Sequence, residues 1–172
     1  MRSDRLRYEP LAPHHASALF DALDDEQVGR YIGGPDVTSI DATRTRIERV
    51  NLGPASPDQR WINHAVFLAG DGDAAPDGAL IGRVEATTYG DWAEIAYVFG
   101  PRWWGHGYAS EATAWLVRHL HEEHGIDELW AAVHPDNAAS HRLLERIGFR
   151  RVETPTREVG SYDDGDLVFT NR

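Results

Sequence analysis

Apolar residues recur along this chain in two rhythms, and the switches between them divide it into strands and helices. Leu6–Leu11 alternates as a half-buried strand does, and Pro13–Ala22 then takes a helical spacing with Leu19 and Phe20 turned inward. Tyr31–Gly34 ends that helical region. Thr38 or Ser39 offers an N-cap for a second helix, whose apolar positions Ile40, Ile47, Val50 and Leu52 fall on one side until Gly53 stops it. Gly53–Pro57 reads as a loop.

Three strands follow, Ile62–Ala69, Leu80–Thr88 and Trp92–Phe99, separated by the Gly/Asp/Pro segment Gly70–Gly78 and the turn Tyr89–Asp91. They predict an antiparallel meander. Tyr108–His124 is a strong helix with Ala112, Trp115, Leu116 and Leu120 on one face and Gly125 as its terminator, and Leu129–Val133 is a short buried strand. A helix of about four turns between Trp92–Phe99 and Leu129–Val133 lets these strands lie parallel through a right-handed crossover. Asn137–Ile147 is the last helix, closed by Gly148, and Phe149–Val152 and Leu167–Thr170 form a final hairpin across an acidic loop. The predicted fold class is α+β: a mostly antiparallel central sheet with one β-α-β unit and flanking helices, in a single domain over residues 1–172.

Composition narrows the chemistry. With 172 residues, 41% of them apolar, and six Trp, the chain has the material for a proper core. No apolar run is long enough to span a bilayer and MRSDRLRYEP has no secretory-type hydrophobic segment, so a cytoplasmic protein without membrane association is expected. There is no Cys and no Lys, all seventeen basic residues being Arg. These absences exclude a cysteine nucleophile, thiolate metal sites, disulfides, a Walker-type lysine and Schiff-base chemistry. Any phosphate must be held by backbone amides and Arg.

A formal charge of −11 disfavours nucleic acid as a partner and suits a cationic acceptor. Acid clusters at Asp24–Asp25–Glu26, at Asp71, Asp73 and Asp77, and at Asp163–Asp164 read either as steering charges or as solvated loop surface. No metal site is expected: His14–His15 stands beside the first helix, and His119, His121 and His124 share a helix without an i, i+4 pair.

The most specific stretch is Glu94–Glu111, EIAYVFGPRWWGHGYASE, where an apolar strand ends in a glycine-rich turn that opens into a helix. Arg102, Gly105 and Gly107 form an Arg-x-x-Gly-x-Gly pattern, and the glycines let main-chain N–H groups approach an anion at the positive end of the helix dipole. A dinucleotide site would want a third glycine where Ser110 stands and an acidic residue closing the next strand, which instead ends in His134–Pro135–Asp136. The companion segment is HPDNAASHRLLERIGF at His134–Phe149.

With these two segments the chain resembles the GCN5-related N-acetyltransferase superfamily, and within it the RimJ/RimL-like branch that acetylates ribosomal-protein N-termini and related amines. The likeness rests on Arg102-x-x-Gly105-x-Gly107 and on Asn137-x-x-Ser140 running into Gly148–Phe149, supported by Leu80–Ile81–Gly82 and Tyr31–Ile32–Gly33. It implies acetyl-coenzyme A as cosubstrate, with no metal. The pyrophosphate loop then maps onto Arg102, Trp103, Trp104, Gly105, His106, Gly107, Tyr108 and Ala109, with N–H donors from Trp103 to Ala109. The pantetheine arm lies along the backbone of Tyr97, Val98 and Phe99, where that strand leaves Leu129–Val133, and Asn137 holds it from the other side. Main-chain donors there can also steady the oxyanion of a tetrahedral intermediate.

Direct transfer needs an unprotonated amine, which costs roughly 4 kcal/mol at neutral pH for a lysine-like acceptor and about 1 kcal/mol for an α-amine. Glu94 is the first candidate base. Glu85 is the second, on the same face if the hairpin turns at Gly90–Asp91; His64, His134 and water are further options. Much of the superfamily carries a leaving-group acid, a Tyr, at the position of Leu144, and in the RimJ/RimL-like branch Ser140 is assigned that role. The acceptor, a peptide or protein α-amine or a small polyamine or antibiotic amine, is expected between Val28–Pro35 and Thr154–Gly165. Acyl-chain preference depends on the volume around Tyr97 and Trp130, and a homodimer is a reasonable assembly. The alternative of a different class is a non-catalytic acyl-coenzyme A-binding regulatory domain.

Overall fold

The computed structural model describes residues 1–69 and 78–172. Asp71, Asp73 and Asp77, and nearly all of the Gly70–Gly78 segment, lie outside the described residues. Among the described residues seven strands form one sheet: β1 (Leu6–Pro10), β2 (Gln59–Leu68), β3 (Leu80–Tyr89), β4 (Trp92–Phe99), β5 (Glu128–Val133), β6 (Arg150–Val152) and β7 (Leu167–Thr170), in the order β1-β2-β3-β4-β5-β7-β6. Every neighbouring pair is antiparallel except β4 and β5, which are parallel across the crossover helix. The expected α+β class, meander, β-α-β unit and final hairpin are all present.

Alternation along the strands gives each face of the sheet its own core. One face presents Tyr8, Val66, Val84, Ile95 and Leu129 to α4 (Tyr108–His124) and α5 (Ala138–Arg146), with Trp115 stacked on Tyr8 at 3.8 Å between ring centroids. The other presents Ala65, Phe67 and Leu80 to α1 (Ala16–Leu23) and α3 (Ile40–Asn51), and at its far end Trp92, Trp130 and Val168 to Val159.

Local chemistry sets the helix ends. Ser39 Oγ accepts from Ala42 N–H to cap α3, and α4 stops where Gly125 takes φ +65°. The first predicted helix divides into a 3₁₀ turn, Pro13–His15, and α1. A further short helix, α2 (Glu26–Gly29), was not predicted; Asp25 caps it by accepting from Gln27 N–H, so this acid in the 24–26 cluster fixes backbone. Ile40 and Leu52 correct the predicted apolar side of α3: they are 37% and 87% exposed, because Ile40 opens the helix and Leu52 is its C-cap, at the two ends beyond the buried Thr43 and Ile47. No helix among the described residues is long and apolar enough to cross a membrane.

Candidate active site

The site begins where two strands part. Among the described residues β4 and β5 pair only at Trp92–Glu128, Ala93–Leu129 and Glu94–Trp130, after which the two part, β5 keeping β7 on its other edge and β4 continuing alone on the edge that faced β5. Because Gly100 N–H donates to Ile81 O on the β3 side, alternation turns the N–H groups of Tyr97 and Phe99 toward the opening. Phe99 C=O is already occupied by the indole N–H of Trp104 at 2.7 Å. The free main-chain groups on this edge are therefore those of Tyr97 and the Phe99 N–H. A cavity of about 350 Å³ occupies the gap.

Its other end is the glycine turn. After a 3₁₀ turn at Pro101–Trp103, Gly105 adopts φ +78° and Gly107, the N-cap of α4, φ +80°. A side chain at Gly105 would meet nothing within 4 Å, so the space over the turn is open. The donor set differs from the expected one. Trp103 N–H and Trp104 N–H bond back to Gly100 O and Pro101 O, tightening the turn, while the N–H groups of residues 105–110 find no acceptor among the described residues. The cradle thus runs from Gly105 to Ser110, at the positive end of a 17-residue helix. Arg102 and His106 stand outside the cavity wall: the guanidinium lies over the Trp103 ring and His106 Nδ1 pairs with Trp104 O.

A brace from just before β1 holds this turn. Arg5 donates from Nε to Glu111 Oε2 at 2.8 Å and from Nη1 to His106 O at 3.0 Å, and lies over the Tyr108 ring. Burial works to raise the Glu111 pKa, but the Arg5 amide, the Ser3 hydroxyl and the Arg5 guanidinium outweigh it and hold the group low. Sequence reasoning missed Arg5, since nothing local to it announces a contact 106 residues away.

On the opposite wall, Asn137 caps α5 by accepting from Ser140 N–H at 3.2 Å, and Asn137 and Ser140 both line the cavity. Leu144 is fully buried behind them. Arg142 and Arg146, also missed, reach the cavity from the same helix and make no ion pair or hydrogen bond among the described residues. Their i, i+4 spacing on a helix carrying Asn137 at its start was a signal that could have found them.

The carboxylates stand elsewhere. The hairpin turns at Gly90–Asp91, with Tyr89 opposite Trp92, so Glu85 and Glu94 do share a face. Neither is free. Glu94, 6% exposed, accepts from Gly160 N–H at 2.8 Å and Ser161 N–H at 3.0 Å. Glu85 Oε1 accepts from Arg83 Nε at 2.6 Å and lies 3.5 Å from Arg46. Arg83 also holds Asp36 through both terminal nitrogens, at 2.5 and 2.7 Å. Burial opposes the Arg83 charge, yet Glu85 and Asp36 outweigh it and raise its pKa above the ordinary value. His64 is on the other face, against Trp115, and burial lowers its pKa to about 4. His134 Nδ1 accepts from Asp136 N–H, outside the cavity wall.

Of the two expected acceptor segments, Val28, Tyr31 and Ile32 line the cavity, whereas no residue of the 154–165 loop does. That loop is fastened to the sheet by Glu94 and by Glu128, which accepts twice from Arg157 and is held down to about 2 chiefly by that contact. Trp130 packs with Trp92 beneath it, away from the cavity. Glu9, His14 and His15 bring one potential ligand atom each within 4.8 Å of one another. His15 Nδ1 accepts from Ala12 N–H, so the proton sits on Nε2 and is offered to Glu9; a cation there would have to break both contacts.

The chain has relatives among known proteins. A family model described as an acetyltransferase (GNAT) domain matches residues 5–150. The N-acetyltransferase YoaA of Bacillus subtilis is 27% identical, over 99% of this chain and 93% of its own. The ribosomal L7/L12 α-N-protein acetyltransferase RimL in complex with coenzyme A superposes with a TM-score of 0.75 at 18% identity, over 98% of this chain and 93% of its own. The spermidine N-acetyltransferase of Vibrio cholerae in complex with coenzyme A and spermine superposes at 0.70 and 16% identity, over 98% and 94%. With its parted strands and its glycine turn at the head of α4, the chain belongs to the GNAT acetyltransferase family.

Proposed function

We propose that this protein is an acetyl-coenzyme A-dependent N-acetyltransferase, near the RimJ/RimL-like branch, that moves the acetyl group directly to a primary amine. One observation carries the reading: the opening between β4 and β5 runs into the amide cradle of residues 105–110. Strand-edge donors at one end and a helix N-terminus at the other suit a carrier whose arm is amide-like and whose handle is a diphosphate. Gly105–Ser110 would hold the diphosphate, Tyr97 and Phe99 the arm and the thioester oxygen, and Asn137 the opposite side of the arm. Arg142 and Arg146 add a cationic rim. The bound cosubstrate supplies an activated acyl group, and a chain without Cys offers no thiol to intercept it.

The cavity wall contains no carboxylate among the described residues. Nothing there matches the charges of a polyamine or takes a proton from a strongly basic amine, so an α-amine, with its smaller deprotonation cost, is the acceptor that fits best, with water as base. A second reading, an acyl-coenzyme A-binding domain without turnover, is favoured by the occupied carboxylate of Glu94.

Free-thiol release from acetyl-coenzyme A, measured against peptides, polyamines and aminoglycosides, separates them. The proposal expects release with at least one peptide α-amine. Cosubstrate binding without release on any amine supports the second reading, and absence of binding defeats both.

A further inference from the structure

Two buried side-chain atoms among the described residues make no hydrogen bond: His64 Nδ1 and the hydroxyl of Tyr97. His64 is sealed against Trp115, far from the cavity. Tyr97 is different, because it sits on β4 at the cavity wall, on the stretch that β5 has left. A buried O–H without a partner lowers stability, and its presence in a native structure calls for a reason. Burial pushes the Tyr97 pKa up to about 12, with Ser140 pulling the other way. Ser140 lines the same cavity as Tyr97, and the two hydroxyls, though neighbours, do not meet in ordinary hydrogen-bond geometry. Ser140 is itself fixed in the first turn of α5 by Asn137. Hydrogen bonds of this kind are often long in an unloaded site and tighten once substrate is bound.

Resting on the N-acetyltransferase reading, we propose that Tyr97 is a positioning residue for Ser140: its O–H donates to Ser140 Oγ in the loaded enzyme and turns the Ser140 O–H toward the thioester sulfur. The N–C bond to the acceptor forms, the C–S bond breaks, and the electron pair leaves on sulfur. The proton shed by nitrogen passes to solvent and then to the thiolate. Neither hydroxyl gives up its proton, since a thiol of pKa about 8.5 is far more acidic than either; the pair stabilises the leaving thiolate through a chain of hydrogen bonds.

The test is Tyr97→Phe, alone and combined with Ser140→Ala, in steady-state thiol release with the best acceptor of the panel. Expected are a kcat about tenfold lower, the loss of one hydrogen bond in the transition state, and unchanged KM for both substrates. Melting temperature should be equal or higher, because the unpartnered hydroxyl is gone, and the double variant should be no slower than Ser140→Ala alone. A wild-type kcat in Tyr97→Phe, additive losses in the double variant, or a rate loss that tracks a lower melting temperature would each overturn the role while leaving the acetyltransferase reading in place. A wild-type protein that releases no thiol overturns that reading and this role together.

Discussion

The carboxylate of Glu94 and the amide of Gly160 lie 2.8 Å apart across 66 residues of chain, and Ser161 N–H completes the pair of bonds at 3.0 Å. An acid in that position organises a loop. Glu94→Gln would turn one acceptor into a donor facing an N–H, costing about 1–3 kcal/mol of stability. Because no residue of that loop lines the cavity, kcat and acceptor KM should stay near their wild-type values. A free general base would instead give a kcat loss of about 10²–10⁴ with binding intact, so steady-state kinetics of this variant beside its melting curve decides between the roles.

Gly107 is the N-cap of α4 at φ +80°, and an added methyl there would sit 3.5 Å from Arg5, an ordinary contact. The cost of Gly107→Ala is therefore conformational, about 1–2 kcal/mol, and falls on the cradle. Calorimetric titration with coenzyme A should show severalfold weaker binding. Gly125→Ala, at φ +65° on the far end of the same helix, should lower the melting temperature comparably and leave affinity alone.

Acid should destabilise the protein before its carboxylates titrate. Burial lowers His64 to about 4, reinforced by His119, the N-terminal amine and His124; burial likewise lowers His15 to about 4, reinforced by His14 and Arg7. Both stay neutral in the folded chain while the unfolded chain takes up protons near pH 6.5. Their contribution is complete above about pH 6.5, declines as pH falls, and is gone below about 4, a few kcal/mol in all. Urea midpoints at pH 7, 5.5 and 4 should fall in that order, with a smaller drop for a His64→Gln variant.

Arg83 and Asp36 form a bidentate pair with side chains 3% and 4% exposed. Asp36→Asn would leave the guanidinium short of a counter-charge in a dry place, costing about 3–5 kcal/mol. Because Asp36 follows the Tyr31–Ile32 wall, acceptor KM should rise as well, which thermal melts and acceptor titrations together would reveal.

Much of this fold was legible because its signals are local. The bounds of β4 and α4 follow from alternation, a glycine turn and a glycine terminator, and the face shared by Glu85 and Glu94 follows from one hairpin turn. At the candidate site the backbone features were legible for the same reason, the positive-φ turn at Gly105 and Gly107 and the helix cap at Asn137. What escaped depended on partners distant in the chain: Arg5 on Glu111, Gly160 on Glu94, Asp36 on Arg83. No periodicity records such contacts. The Trp103 and Trp104 amides, expected as donors, bond back within a 3₁₀ turn, which consumes N–H groups that a plain loop would leave exposed.

The Arg5 brace ties the head of α4 to the edge of the sheet, and thermodynamic coupling of that kind works in both directions. Whatever the turn grips should tighten β1 in return, so amides of residues 6–9 ought to exchange hydrogen for deuterium more slowly once the nucleotide handle is seated. An edge strand that touches no ligand would then serve as the reporter of occupancy.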